Sequence, residues 1–191
     1  MTRIISGFAG SVTLAIPKSG TRPTSDRVRE AIFSALDARD AVFGMRVLDL
    51  YAGSGALGLE AASRGARVVT LVENSYAAAA MCRKNGEAVQ RSAPKGTDLK
   101  IQVSSQTVQS FLGATKDGFD VVFIDPPSDL SEVELAHNLS ALAPLLADDA
   151  LVVLERSSRS PEPEWGEGLV LERRKAYGDT TVWYAAPADV D

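Results

Sequence analysis

Asp49-Leu50-Tyr51-Ala52-Gly53-Ser54-Gly55-Ala56-Leu57-Gly58-Leu59-Glu60 decides the fold. Arg46 to Leu50 before it reads as a buried strand, Gly53, Gly55 and Gly58 open a tight loop, and Ala56 to Arg64 reads as a small-residue helix. A strand, a glycine turn and a helix N-terminus let backbone approach a ligand closely and offer it unpaired N–H groups. Arg67 to Val72 is a second apolar strand ending at Glu73, about 20 residues past the glycines, where a carboxylate meets ribose hydroxyls. Adenosine is the expected cargo. The spacing Gly53-x-Gly55-x-x-Gly58 also fits a dinucleotide turn, so a nicotinamide-dependent oxidoreductase is the first rival.

Working outward, the chain alternates. Helices are expected at Ser75 to Gln90 and Gln106 to Gly113, strands at Leu99 to Val103 and Asp120 to Ile124, a helix at Glu132 to Leu146 and a core strand at Ala150 to Glu155. Such alternation means a mostly parallel sheet covered by helices on both faces, with ligands at the carboxyl ends of its strands. Leu169 to Arg173 and Thr180 to Ala186 read as a terminal antiparallel pair, a departure that counts against a dehydrogenase. Upstream, Arg3-Ile4-Ile5 and Val12 to Ile16 suggest a hairpin, and Thr24-Ser25-Asp26 caps a helix from Arg27 to Leu36 whose apolar face is Val28, Ile32, Phe33 and Leu36. This gives an accessory unit at residues 1–37 and a catalytic domain at 38–191.

Composition narrows the chemistry. Cys82 is the only cysteine and His137 the only histidine among 191 residues, which removes internal disulfides, cysteine metal cages and Ser-His catalysis. Cys82 reads as a packing residue. The net charge of −5 argues against nonspecific nucleic-acid binding, but residues 1–30 hold five basic groups and two acidic ones. That end is where a polyanion would touch. The absence of a long apolar run leads to the expectation of a soluble, cytoplasmic protein without membrane contact.

The run Val121-Val122-Phe123-Ile124-Asp125-Pro126-Pro127 ends a strand in an acid and two prolines. Prolines remove N–H donors and fix φ, leaving a rigid backbone whose carbonyls are free to accept. An aspartate oxygen and a proline carbonyl held together match the two hydrogens of an exocyclic amine. With both hydrogens held, the nitrogen lone pair can be aimed at an electrophilic methyl group, and catalysis is mostly positioning.

The pairing of Asp49-Leu50-Tyr51-Ala52-Gly53-Ser54-Gly55 with Asp125-Pro126-Pro127 resembles the S-adenosylmethionine-dependent amino-methyltransferases. Arg3-Ile4-Ile5-Ser6-Gly7 and Thr21-Arg22-Pro23-Thr24-Ser25-Asp26-Arg27-Val28-Arg29-Glu30-Ala31-Ile32-Phe33 resemble one branch, the RsmD-like enzymes that methylate guanine N2 in small-subunit (16S) ribosomal RNA. The resemblance implies a Rossmann-like α/β fold: a mostly parallel seven-stranded sheet, an antiparallel C-terminal hairpin, and a small N-terminal β-hairpin and helix. It implies that Asp49, Tyr51, Gly53, Ser54, Gly55, Glu73 and Gln106 serve the cofactor, S-adenosyl-L-methionine, which leaves as S-adenosyl-L-homocysteine. It places Asp125 and Pro126 at the target amine with Pro127 beside it, and Arg3, Arg22, Thr24, Arg27 and Arg29 toward RNA. No metal is implied, and the expected species is a monomer acting on small-subunit ribosomal RNA or a 30S-type subunit.

Three positions depart from that pattern. Ser128 stands where an aromatic usually stacks on the target base, with Phe8 and Phe33 as substitute rings. Ser104, Ser105 and Gln106 stand where an acid usually meets the adenine, and Ser11 replaces a basic residue. Two further rivals follow: a noncatalytic RNA-binding relative, and a DNA or RNA adenine-N6 methyltransferase using the same amine clamp.

Overall fold

The computed structural model describes residues 1–18 and 24–189. Nine strands and five α-helices run in the order β1 (Thr2–Arg3), β2 (Thr13–Leu14), α1 (Asp26–Asp37), β3 (Arg46–Leu50), α2 (Ala56–Ser63), β4 (Val68–Val72), α3 (Tyr76–Ser92), β5 (Lys100–Ser104), α4 (Val108–Ala114), β6 (Phe119–Ile124), α5 (Glu132–Leu142), β7 (Leu146–Ser157), β8 (Leu169–Tyr177) and β9 (Thr180–Pro187). The main sheet has seven strands in the order β5-β4-β3-β6-β7-β9-β8. β3 to β7 are mutually parallel, and β9 runs antiparallel between β7 and β8. The α/β architecture with a reversed C-terminal hairpin is therefore the one the sequence implied.

Several boundaries moved, among them β7, which starts at Leu146, and two have plain local reasons. The helix expected to reach Leu146 stops at Leu142, and Ala143–Leu145 forms a 3₁₀ turn containing Pro144, whose missing N–H cannot continue the α ladder. β8 runs on past Arg173 to Tyr177, because Gly178 at φ +57 reverses the chain at once and pairs Tyr177 with Thr180.

Each face of the sheet carries its own core. One packs Val47, Val69, Val121, Phe123 and Val153 against α1, α2 and α3; the other packs Leu48, Leu50, Val122, Ile124 and Leu154 against α4 and α5. Successive strand residues alternate between these cores, as period-2 geometry requires when helices cover both faces. Ile4, Leu14, Ile32, Phe33 and Leu36 belong to the first core, so residues 1–18 and 24–37 pack onto the rest of the described residues and share their interior.

The N-terminal hairpin is fastened by side chains of α2 and α3. The buried Glu60 carboxylate accepts from the backbone N–H of Ile5 at 2.8 Å and of Ser6 at 3.0 Å, and from Arg64 Nε at 2.9 Å. Asn85 accepts from Ala15 N–H at 2.8 Å and donates to the Ala15 carbonyl at 2.9 Å. Gly7 is obligatory at this junction. Its φ is +85, and a Cβ there would sit 1.9 Å from the carbonyl oxygen of Ser63.

Candidate active site

The Leu50↔Ile124 register sets the ends of β3 and β6 side by side, and Ile124↔Leu154 does the same for β6 and β7. The glycine loop, Asp125 and Glu155 therefore emerge in sequence along one rim of the sheet. Glu73 follows β4 on the other side of the loop. Ligands of open α/β sheets bind at this rim.

Gly53 has φ +60 and open space where a Cβ would stand, and Gly55, the residue preceding α2, has φ +83 with no side-chain cap. At the start of α2 the Ala56 and Leu57 N–H groups have no backbone partner among the described residues, while Gly58 N–H is taken by Asp49. Gly58 serves packing. A Cβ on it would come 2.4 Å from Leu71 Cδ2. The Glu73 carboxylate accepts from Gly53 N–H at 2.9 Å and from Ser75 N–H at 2.8 Å, tying the loop to the start of α3 while keeping further lone pairs on both oxygens.

Other residues of the loop act from behind. Asp49 is buried and accepts from Gly58 N–H at 2.9 Å; burial pushes its pKa well up, and the Gly58 N–H partly offsets this. The Ser54 side chain is buried while its carbonyl accepts from Asn85 at 2.8 Å. Tyr51 has φ +59, and its hydroxyl accepts from Asn138 on α5 at 2.8 Å. Cys82 donates to the Gly53 carbonyl, and burial pushes its thiol up to about 12, which fits a packing residue and not a nucleophile. Gln106 bonds the hydroxyl of Ser104 at 2.6 Å and stays partly buried at the end of β5. The glycine loop, the start of α2 and the Glu73 carboxylate thus adjoin one another at the rim, an arrangement that fits a nucleoside-type cofactor.

At the end of β6, Pro126 is buried and Pro127 exposed. The Pro127 carbonyl is taken by Leu130 N–H at 3.0 Å, whereas the Pro126 carbonyl has no partner among the described residues. Asp125 uses one oxygen, Oδ2, to accept from the Thr24 hydroxyl at 2.9 Å. The same hydroxyl stands 2.8 Å from Glu155 Oε2. Burial raises both carboxyls, Asp125 to about 6 and Glu155 to about 8, with the charge of Asp125 adding to the second.

Sequence reasoning missed Glu155. It closes the apolar run Ala150 to Leu154 as Asp125 closes Val121 to Ile124, but nothing in the sequence orders these strands next to each other. Thr24, expected to face RNA, stands against the acid pair.

The basic residues divide. Arg3 and Arg27 are exposed, and Arg22 lies outside the described residues. Arg29 is corrected: it is fully buried, donating to the Arg3 carbonyl and to Asp26 Oδ1 at 2.9 Å, so it braces α1 against β1 and presents no charge to a polyanion. Phe33 is corrected too. Its ring is 0% exposed, tilted on Phe123 with centroids 5.5 Å apart and covered by the Arg64 guanidinium, so it cannot stack on a base. Phe8 is partly buried against the core. A depression of about 350 Å³ between α3 and β5 is lined by Arg83, Glu87 and Ile101 and lies away from this rim.

Residues 2–186 match the profile of a protein family described as Conserved hypothetical protein 95. Ribosomal RNA small subunit methyltransferase D of Escherichia coli K12 is 35% identical over 92% of this chain and 85% of its own length. A hypothetical protein of Thermus thermophilus, of known structure, superposes with a TM-score of 0.80 at 32% identity, covering 96% of this chain and 98% of the other. Magnesium protoporphyrin IX methyltransferase of Synechocystis PCC 6803, solved with bound S-adenosylmethionine, superposes at 0.65 with 16% identity over 85% and 79% of the two chains, a likeness of fold alone.

Proposed function

The chain belongs to the family of the small-subunit ribosomal RNA methyltransferase D proteins, and from that premise we propose that it transfers a methyl group from S-adenosyl-L-methionine to the exocyclic N2 amine of a guanine in small-subunit ribosomal RNA, on an assembled or assembling subunit. The observation that carries the reading is the pair of acceptors after β6, the Pro126 carbonyl and the second oxygen of Asp125, neither with a partner among the described residues, one strand away from the glycine loop. When bound, the cofactor supplies an electrophilic methyl group.

The protein's part is placement. Gly53, Gly55 and Glu73 form the cradle, with Asp49, Tyr51 and Ser54 fixing it from behind and Gln106 at its far end. Asp125 and Pro126 each accept one amine hydrogen, which turns the nitrogen lone pair along the line of attack and raises the effective concentration of the reacting pair. The amine proton becomes acidic only as the N–C bond forms, and Asp125 receives it. Residues 1–37 form the RNA-facing part, with Arg3 and Arg27 as exposed phosphate contacts and Arg22 joining them; residues 38–191 carry the chemistry. Pro127 is exposed beside the clamp, where a splayed base would lie.

Single-turnover transfer of labelled methyl to small subunits tests the clamp. Asp125→Ala is expected to keep cofactor affinity and lose at least ~100-fold in rate, since a small misplacement of reacting atoms costs that much. Asn, which keeps one acceptor, is expected to fall between Ala and wild type. Equal rates for wild type and Asp125→Ala would refute the clamp.

A further inference from the structure

A hydroxyl has one hydrogen, yet Thr24 Oγ1 stands 2.9 Å from Asp125 Oδ2 and 2.8 Å from Glu155 Oε2. It can donate to only one of them. The other contact is a hydrogen bond only if that carboxyl is protonated and donates to the hydroxyl oxygen. Two ionised carboxylates facing one hydroxyl would leave a partly buried acceptor unpaired beside a like charge, an arrangement disfavoured where solvent is partly withdrawn.

The surroundings decide which carboxyl holds the proton. Glu155 lies two residues before the end of β7, paired across to Val182 of β9. Among the described residues, Asp125 is the charge that acts on it; Lys175 of β8 stands two strands away in the same row and holds its ammonium over the Tyr177 ring. Arg156 turns to the opposite face of the sheet and pairs with Glu132 at 2.8 Å, and Asp26 of α1 is committed to Arg29. With no cation among the described residues to hold it ionised and the Asp125 charge opposing a second anion, Glu155 keeps its proton to higher pH than Asp125 does, and the two titrate as a coupled pair.

We propose that Glu155 is a positioning residue, the protonated end of a chain in which Glu155 donates to Thr24 and Thr24 donates to Asp125 Oδ2, so that Asp125 stays ionised with Oδ1 left for the target amine. Thr24 directly precedes Ser25, whose side chain caps α1 by accepting from Val28 N–H at 3.2 Å. The chain therefore also fastens the start of α1 to the clamp. During transfer the amine proton passes to Asp125 and the Glu155 proton stays in place; solvent takes the Asp125 proton after product leaves, and every proton is accounted for.

This inference rests on the amine-methylation reading, and its test separates the two. Full-length wild type and Glu155→Gln would be compared for kcat/KM between pH 6 and 9.5, on small ribosomal subunits from cells lacking the protein with labelled S-adenosyl-L-methionine. Carbon-13 NMR of the carboxyl groups would be followed over the same range without substrate. Wild type is expected to rise as Asp125 ionises and fall as Glu155 does, near pH 8.

The Gln amide donates to Thr24 at every pH, so the variant keeps its rate near neutrality and loses the alkaline fall. The variant-to-wild-type ratio then climbs about tenfold per pH unit above the Glu155 pKa, and any alkaline loss belonging to the RNA cancels in that ratio. Thr24→Val is expected to lower kcat with cofactor affinity unchanged, and Thr24→Ser to preserve it. A Glu155→Gln variant with the wild-type alkaline fall, or no carboxyl titrating between pH 7 and 9, would overturn the inference. Wild type that transfers no methyl to subunits would instead sink the proposed function, while the NMR titration still decides whether the chain holds its proton.

Discussion

Replacing Glu73 with Gln tests the cradle most sharply, because the change keeps shape and alters only hydrogen-bond character. The carboxylate accepts from Gly53 N–H at 2.9 Å and Ser75 N–H at 2.8 Å, one on each oxygen. An amide has one acceptor oxygen, so whichever way it rotates its NH2 opposes one of those two backbone donors. Losing one bond to a charged acceptor costs about 1.5–3 kcal/mol, tempered by the partial exposure of Glu73. Binding should suffer further, since a ribose presents two hydroxyls and the amide leaves one without its charged acceptor. Affinity for S-adenosyl-L-methionine is expected to fall about 10- to 100-fold, and equally for S-adenosyl-L-homocysteine, because the methyl group plays no part at this edge. Titration calorimetry with both ligands, paired with urea unfolding, separates the two losses. Affinities within twofold of wild type would refute the placement of the ribose at Glu73.

The buried and exposed arginines of the N-terminal part should behave oppositely. Arg27→Ala is expected to reduce the salt slope of RNA binding by about 0.7–0.9 in log–log units, the signature of one lost phosphate contact. Arg29→Ala is expected to leave that slope alone and to lower unfolding stability by about 1–3 kcal/mol, through the orphaned Arg3 carbonyl; a changed slope would return Arg29 to the RNA face. Arg46 grips Asp120 through Nε and Nη2, both at 3.0 Å, and this hydrogen bond holds the Asp120 carboxyl below its ordinary value. A depressed carboxyl stabilises the fold above its unfolded pKa and ceases to do so as pH falls through the folded one. Asp120→Asn should therefore cost about 1 kcal/mol at neutral pH, discounted for a partly exposed pair, and the difference from wild type should fade below about pH 4.

The strand-loop-helix at Arg46 to Ser63 was legible because local chemistry fixes it: β-branched and leucine residues, then glycines that only a turn requires. Asp125 was legible for the same reason, two prolines ending an apolar strand. Arg29 reads as an RNA contact by its charge alone, whereas its spacing places it on the buried face of α1. Positions 29, 32, 33 and 36 share one helical face, and that stripe is buried with the arginine in it. Phe33 was misread as a free ring although it lies in the same stripe. Glu155 was invisible because its meaning depends on β6 and β7 being neighbours and on Thr24 reaching across from more than a hundred residues earlier in the chain, neither of which any local pattern encodes. The C-terminal hairpin showed its strands but hid its sheet order, in which β9 inserts between β7 and β8.

Methylation by this rim of the exocyclic amine of a guanine in small-subunit ribosomal RNA is open to direct assay. Small subunits from cells lacking the protein, incubated with the purified chain and labelled S-adenosyl-L-methionine and then digested to nucleosides, test it most directly. Label is expected in N2-methylguanosine at a single position of the RNA, absent with Asp125→Ala. Label in N6-methyladenosine, or none in the RNA while the protein binds the cofactor, would contradict it.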